Sequence, residues 1–273
     1  MAFAKSSAVI LFAVPKNKNT SPDQGLVESN RNLYNTYTDE LLVNSADVHA
    51  AAKAIGSHSI EHFAAMGLIE ADLLRQHGLR EDSALIDVGR GSGRLSHQLA
   101  GWLKGPYLGT DISPALLAHA EKACGRPDWR FEAVDGLQIP EQDAKADMVC
   151  FFSVLTHLRH EESFIYLEET RRVLKPGGVL VFSFLEFAVG SHWAVFDATV
   201  NSLRKSGGLP VNQFMSRDLI AAWAPQLGFE VTSVHRGDTP HIPLSDPAAV
   251  EGFSQVVDGE SALGQSVAVL AAV

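Results

Sequence analysis

Short apolar runs alternate with amphipathic stretches from Ala84 to Phe184, and that rhythm leaves few folds open. A run apolar on both faces needs a sheet covered on both sides, and parallel neighbours need a crossover helix between them. The runs are Ala84–Val88, Pro106–Asp111, Trp129–Val134, Asp147–Phe152 and Val179–Phe184. Helical stretches stand between them, from about Leu95 to Leu103, Pro114 to Ala123 and Glu161 to Leu174, with Ser113 as an N-cap and Pro176-Gly177-Gly178 as a tight turn. A helix over Arg217–Gln226, capped by Ser216 and stopped at Gly228, precedes two last strands, Phe229–His235 and Gln265–Ala272. The pattern predicts an α/β chain built on a doubly wound sheet, mostly parallel, with a C-terminal antiparallel strand.

Outside that rhythm the chain reads differently. Residues 15–25 are polar and rich in Pro and Asn, a linker composition. From Asn30 to about Gly78 apolar residues recur at helical spacing, among them Ile60, Phe63, Ala64, Leu68, Leu73 and Leu74. We read residues 1–79 as a tail and N-terminal helical cap, and residues 80–273 as the α/β domain. Residues 186–215, with Gly207-Gly208 and Pro210, read as an irregular insertion lying over the site. The apolar run Ala8–Val14 is too short to span a bilayer, and no small-residue cleavage site follows it.

Charge and cysteine usage exclude several functions. With 22 Lys+Arg against 32 Asp+Glu, the net charge is −10 and no basic run appears. Such a surface repels phosphate backbones and anionic membranes, so neither nucleic acid nor a membrane is expected as a partner. Cys124 and Cys150 have neither metal-clip nor disulfide spacing, which suits a reducing cytoplasm. His58 and His62, with Glu61 between, stand four apart but lack further ligands at recognisable spacing, so no metal is expected.

The strongest chemical signal is Asp87-Val88-Gly89-Arg90-Gly91-Ser92-Gly93-Arg94, directly after a strand and opening a helix. Glycines there let the backbone turn tightly and approach a ligand, whose anionic or polar groups meet the helix N–H groups. Such a turn can serve a dinucleotide, a phosphate or a methyl donor. A nicotinamide fingerprint needs its third Gly where Arg94 stands, and a phosphate loop needs a Gly-Lys-Ser/Thr that is absent. In their place Asp87 precedes the first Gly, which suits a cationic group such as an α-ammonium, met directly or through water. Asp111 ends the next strand, where this topology receives ribose hydroxyls, and Asp135-Gly136 closes the third, within reach of an adenine edge.

On these residues the stretch 84–184 resembles the core of the Rossmann-like class I S-adenosylmethionine-dependent methyltransferases. The family's acid and Gly-x-Gly-x-Gly fall at Asp87, Gly89, Gly91 and Gly93. Its second acid falls at Asp111, with Ile112-Ser113-Pro114 behind it, and its third at Asp135. Phe151 to Leu158 resembles its fourth-strand segment, and Leu174 to Gly178 the turn before its fifth strand. The resemblance implies S-adenosylmethionine as cofactor. The glycine turn would hold the methionine moiety, Asp87 its ammonium, Asp111 and Ile112 the ribose, and Asp135 with Gly136 the adenine. Phe152 and Ser153 would line the wall beside the sulfonium. Arg90 departs from the family, which often has Cys or a small residue there; a long cation could cover the cofactor's carboxylate, crowd the pocket and weaken binding, or lean out to solvent, and the solvated side chain is the reading taken.

Methyl transfer needs chiefly positioning, and a base only where the acceptor must lose a proton. His157, one turn beyond the fourth strand, is the candidate general base, set against the plainer role of a pocket-wall or packing His. His160, His192 and His241 are weaker candidates. Tyr34, Tyr37, Phe63 and Met66 on one side, and His192, Trp193, Phe196 and Phe214 on the other, mark the regions expected to wall an aromatic or aliphatic acceptor. The reading is a cytoplasmic methyltransferase acting on a small molecule at oxygen, nitrogen or carbon. Protein methylation, which would want an open groove, and a non-catalytic cofactor binder are the alternatives.

Overall fold

The computed structural model describes residues 59–205 and 212–273. The apolar run Ala8–Val14, the linker, Tyr34, Tyr37, His58 and the Gly207-Gly208/Pro210 stretch lie outside them. Helix α1 (Ile60–Gln76) opens the described chain, with the Ser59 hydroxyl accepting the His62 N–H as its N-cap. Then follow β1 (Leu85–Val88), α2 (Arg94–Leu99), β2 (Tyr107–Asp111), α3 (Pro114–Cys124), β3 (Arg130–Ala133) and β4 (Ala146–Phe151). A 3₁₀ turn at Leu155–His157 leads to α4 (His160–Val173), β5 (Leu174–Phe184), α5 (His192–Arg204), α6 (Arg217–Gln226) and β6 (Phe229–His235). After β7 (Ile242–Pro243), α7 (Pro247–Val250), β8 (Val256–Val257) and β9 (Glu260–Ser261), the chain closes on β10 (Ser266–Ala272).

Seven strands form the main sheet in the order β3-β2-β1-β4-β5-β10-β6. β1 pairs in parallel with β2 and β4, β2 with β3 and β4 with β5, whereas β10 runs antiparallel between β5 and β6. The doubly wound reading therefore stands. Order reverses at β1, between β2 and β4, so a crevice opens at the carboxyl ends of those strands.

Alternation along the strands divides the core in two. Ile86, Val88, Val149, Phe151, Phe182 and Phe184 pack on one face with Tyr166, Leu167 and Ile220. Leu85, Met148, Cys150, Val181, Val267 and Val269 pack on the other with Ile69, Leu73, Leu74, Leu95 and Leu99. Helix α1 thus covers the second face. It comes so close to α2 that a Cβ on Gly67 would stand 2.3 Å from the Arg94 carbonyl oxygen. The buried Glu70 carboxylate, one turn along, pairs with the Arg94 guanidinium.

Two expectations need correction. Residues 186–215 are not irregular throughout, since α5 occupies their middle. Its signal is weak in sequence because Phe196, Val195, Thr199 and Val200 are poor helix formers, and His192 is its one fully buried residue. The span between β6 and β10, to which the sequence pattern assigns no element, holds α7 and a second small sheet, β7-β9-β8, whose two-residue strands are too short to show a period. The Pro176-Gly177-Gly178 turn exists as an excursion inside β5: Ala146 pairs with Leu174 and Met148 with Val179.

Candidate functional site

The turn after β1 is made by left-handed glycines: φ is 67° at Gly89, 57° at Gly91 and 95° at Gly93, values that side chains rarely adopt. The Gly89 and Arg90 N–H groups donate to the Thr110 carbonyl at 2.8 and 3.1 Å, tying the turn to β2. Asp111, only 6% exposed, ends that strand. Its Oδ2 accepts the Gly91 N–H at 2.7 Å and its Oδ1 the Ser113 N–H at 2.9 Å. Each carboxylate oxygen keeps acceptor capacity beyond its one bond, as a diol-binding acid requires. Ile112 is half-buried beside it.

Asp87 sits differently. Its side chain lies behind the turn, 2% exposed, with Oδ2 accepting the Tyr107 hydroxyl at 2.7 Å and Cys150 Sγ 3.7 Å from Oδ1. Burial pushes the carboxyls of Asp87 and Asp111 up from the usual range. Hydrogen bonds from Tyr107 oppose this at Asp87, those from Ser113 and Gly91 at Asp111, and the Arg90 charge at both.

Arg90 overturns its sequence reading. It is 5% exposed, not solvated. Its side chain runs over Gly109 of β2, where its Cδ would stand 2.2 Å from an added Cβ. The guanidinium lies 4.4 Å from the centre of the Phe131 ring, and Nη2 donates to Ser96 Oγ at 3.0 Å. Nε and Nη1 are buried with no hydrogen-bond partner among the described residues.

On the far side of the crevice, Val154 rests on the turn; its Cγ2 lies 2.3 Å from where a Gly89 Cβ would be. Ser153 takes a left-handed φ of 61°, and its N–H donates to Ser183 Oγ at 2.8 Å. Ser183 Oγ donates in turn to Gln265 Oε1 at 2.7 Å, just before β10. Phe152 is buried in the second core. Asp135 and Gly136 are exposed beyond β3 and line a cavity of about 540 Å³ with Ala133, Leu137 and Ile139. Its rim is fixed by Arg172, which pairs with Glu169 at 2.8 Å and donates to the Ile139 carbonyl at 2.9 Å.

The histidines separate. His157 is half-buried on the 3₁₀ turn beyond β4, at the ligand end of the sheet. His160 is bonded to the Phe214 carbonyl, and the buried His192 to Glu186 and the Gly264 carbonyl, so both tie loops together. His241 stacks on His235 with ring centres 4.2 Å apart, within the small-sheet region. Among the described residues no group of three or more His, Cys, Asp or Glu is arranged to hold a metal. Beyond β5, Phe187, Trp193, Phe196 and Phe214 form one aromatic cluster, with Phe187 stacked on Phe214 at 4.3 Å. Phe187 and Trp193 remain 49% and 47% exposed.

Sequence reasoning missed Val154, Tyr107, Ser183 and Gln265. No spacing signals them, because each reaches the turn or its neighbours from another strand or from the loop before β10.

Residues 85–178 match the family model for a methyltransferase domain. A protein of Mycolicibacterium smegmatis, named a probable S-adenosylmethionine-dependent methyltransferase, is 34% identical over 130 residues, 45% of this chain and 43% of its own. A ubiquinone biosynthesis O-methyltransferase of Cereibacter sphaeroides is 30% identical over 127 residues, 42% of this chain and 49% of its own. The chain thus spans less than half the length of these relatives. The crystal structure of a Methanosarcina mazei S-adenosylmethionine-dependent methyltransferase superposes with a TM-score of 0.54 at 17% identity, covering 73% of this chain and 97% of that one, which shows a shared fold. Over residues 85–178 the chain is thus similar to the S-adenosylmethionine-dependent methyltransferases, and S-adenosylmethionine is the cofactor that this likeness implies.

Proposed function

We propose that the protein methylates a small apolar or aromatic acceptor with S-adenosylmethionine. The observation that carries the reading is the Asp111 carboxylate, fixed by the N–H groups of Gly91 and Ser113 at the end of β2, next to a turn of left-handed glycines. That donor set fits an adenosine-bearing ligand. Asp111 and Ile112 would hold the ribose, Asp135 and Gly136 the adenine edge, and Gly89, Gly91 and Gly93 the methionine moiety. Asp87, set behind the turn, would bias the turn toward the ammonium through its field. Phe152 and Ser153 would wall the sulfonium. The cofactor's chemistry is a methyl group on a positively charged sulfur, open to in-line displacement by an acceptor lone pair.

The chain's own work is then alignment and exclusion of water. The aromatic cluster at Phe187, Trp193, Phe196 and Phe214 supports an apolar acceptor, because it keeps large ring area exposed at the same end of the sheet. The name of the Cereibacter relative, with its quinone pathway, agrees with that class. His157 would accept the acceptor's proton where one must leave. A net charge of −10 supports a small molecule over a nucleic acid, and the free Cys124 and Cys150 support a reducing compartment such as the cytoplasm. Among the described residues no helix is long and apolar enough to cross a membrane.

The test is calorimetry of S-adenosylhomocysteine binding, with NADH and Asp111→Ala alongside. Micromolar binding that is absent for NADH and lost in the variant supports the reading. No binding to folded protein overturns it.

A further inference from the structure

We propose that Glu169 and Arg172 are positioning residues for the donor's base: as one forked pair on α4 they hold the loop after β3, and so fix Asp135 and Gly136 at the adenine edge. This rests on the donor-site reading above, in which those two residues meet the adenine.

Residues 134–145, between β3 and β4, run without helix or strand. Their main-chain polar groups need partners from elsewhere, and the loop takes its shape from where those partners stand. Glu169 and Arg172 lie one turn apart on α4 and meet as a fork. Arg172 Nε donates to Glu169 Oε1 at 3.0 Å and Nη2 to Oε2 at 2.8 Å. The pair then brackets Ile139. Glu169 Oε2 accepts the Ile139 N–H at 3.3 Å, and Arg172 Nη2 donates to the Ile139 carbonyl at 2.9 Å. Arg172 Nη1 donates to the Glu141 carbonyl at 2.8 Å, and the Ala144 N–H donates back to the Arg172 carbonyl at 2.9 Å. The Ile139 side chain is buried in the first core, so this residue is held at main chain and side chain alike.

A half-exposed ion pair contributes little to stability by itself. Here its donors and acceptors are directed at a loop, and the loop is a wall of the site. Asp135 and Gly136 stand just before Ile139 and line the same cavity as Glu169 and Arg172. At the other end of the wall, the Val134 N–H donates to the Asp111 carbonyl at 3.0 Å. Residues 135–138 therefore form a short arch with two fixed feet, one on the strand that carries the ribose acid and one on the α4 pair. Arg130 of β3 supports the chain beyond the arch, through the Pro140 carbonyl at 2.9 Å, and leaves Ile139 to α4.

Adenine presents an amino group at its sixth position, where hypoxanthine presents a carbonyl oxygen. A carboxylate held at that edge accepts from the first and repels the second. Selection of this kind needs the acid within hydrogen-bond reach, which is what a fixed arch supplies.

The experiment compares S-adenosylhomocysteine with S-inosylhomocysteine by calorimetry on wild type and Arg172→Met. Wild type should prefer the adenine compound by about tenfold or more, because the wrong base leaves a polar edge unpaired. The variant should reduce that preference to within about threefold, chiefly by weakening the adenine compound. In the unliganded variant the Ile139 and Ala144 amides, whose own acceptors are retained, should exchange hydrogen faster. A variant that melts lower yet keeps the wild-type preference has lost only stability, and overturns the proposal; so does unchanged exchange at both amides. Should Arg172→Met fail to fold, Glu169→Ala removes the fork and the Ile139 acceptor from the other side, and a preserved preference there overturns the proposal equally. Wild-type protein that binds both compounds alike overturns the proposal and leaves the methyl-donor reading standing, whereas binding of neither overturns both.

Discussion

Alanine in place of Gly67 sets helix propensity against packing, and the two predict opposite signs. Gly67 lies in the interior of α1, where Gly→Ala favours the helix by about 1 kcal/mol. The added Cβ, however, would stand 2.3 Å from the Arg94 carbonyl oxygen and 3.0 Å from Gln98 Cγ. The first is a backbone atom at the start of α2 and has no rotamer to escape into. Ordinary contact begins near 3.4 Å, so α1 must retreat by about 1 Å. Overpacking of this kind costs roughly 1–3 kcal/mol, and the retreat also loosens the buried Glu70–Arg94 pair. The net expectation is a loss of about 1–2 kcal/mol, read as a melting point lowered by roughly 2–8 °C in a chain of this size. Urea denaturation checks it through a lower midpoint at unchanged slope. A variant as stable as the parent, or more so, would refute the close approach of α1 and α2.

Three further outcomes follow from the site. Ser153→Val forces a β-branched residue to φ 61° and should cost about 1–3 kcal/mol in chemical denaturation, while Ser153→Gly should be nearly neutral. His235 is pushed down to about 4 by burial and by His241 and His77, so its contribution to stability is present above its ordinary value of 6.5 and lost as pH falls from 6.5 toward 4. His235→Phe should flatten that part of the stability profile, measured against wild type by thermal melts. Phe187→Ala and Trp193→Ala should raise KM for an apolar acceptor several-fold and leave S-adenosylhomocysteine affinity unchanged; equal loss of both would place the aromatic cluster outside the acceptor site.

Much of this was legible because it is local. The strand, glycine turn and helix from Leu85 to Leu99 are coded within one stretch, and so are the N-caps Ser113 and Ser216 that accept the Leu116 and Leu219 N–H groups. Arg90 was misread for the converse reason. Whether a long cation leans out or tucks under depends on Gly109 and Phe131, one and two strands further along the sequence, and nothing near Arg90 announces them. His192 looked like a pocket histidine, yet its ring joins Glu186 to the Gly264 carbonyl. Helix α5 was lost because its residues prefer strands and few of them are buried, so neither propensity nor period marks it.

The bond chain from Ser153 through Ser183 to Gln265 has a consequence for biosynthesis. Because β10 runs antiparallel to β5, it is the start of β10, not its end, that reaches the ligand end of the sheet. Gln265 follows Ser183 by 82 residues. A nascent chain that has already exposed its glycine turn, its three acids and Ser153 still lacks the side chain that holds Ser183 in place. The hydrogen bond at Ser183 is completed by a segment made 82 residues later, and a chain translated only as far as β5 carries the glycine turn and its acids without that bond.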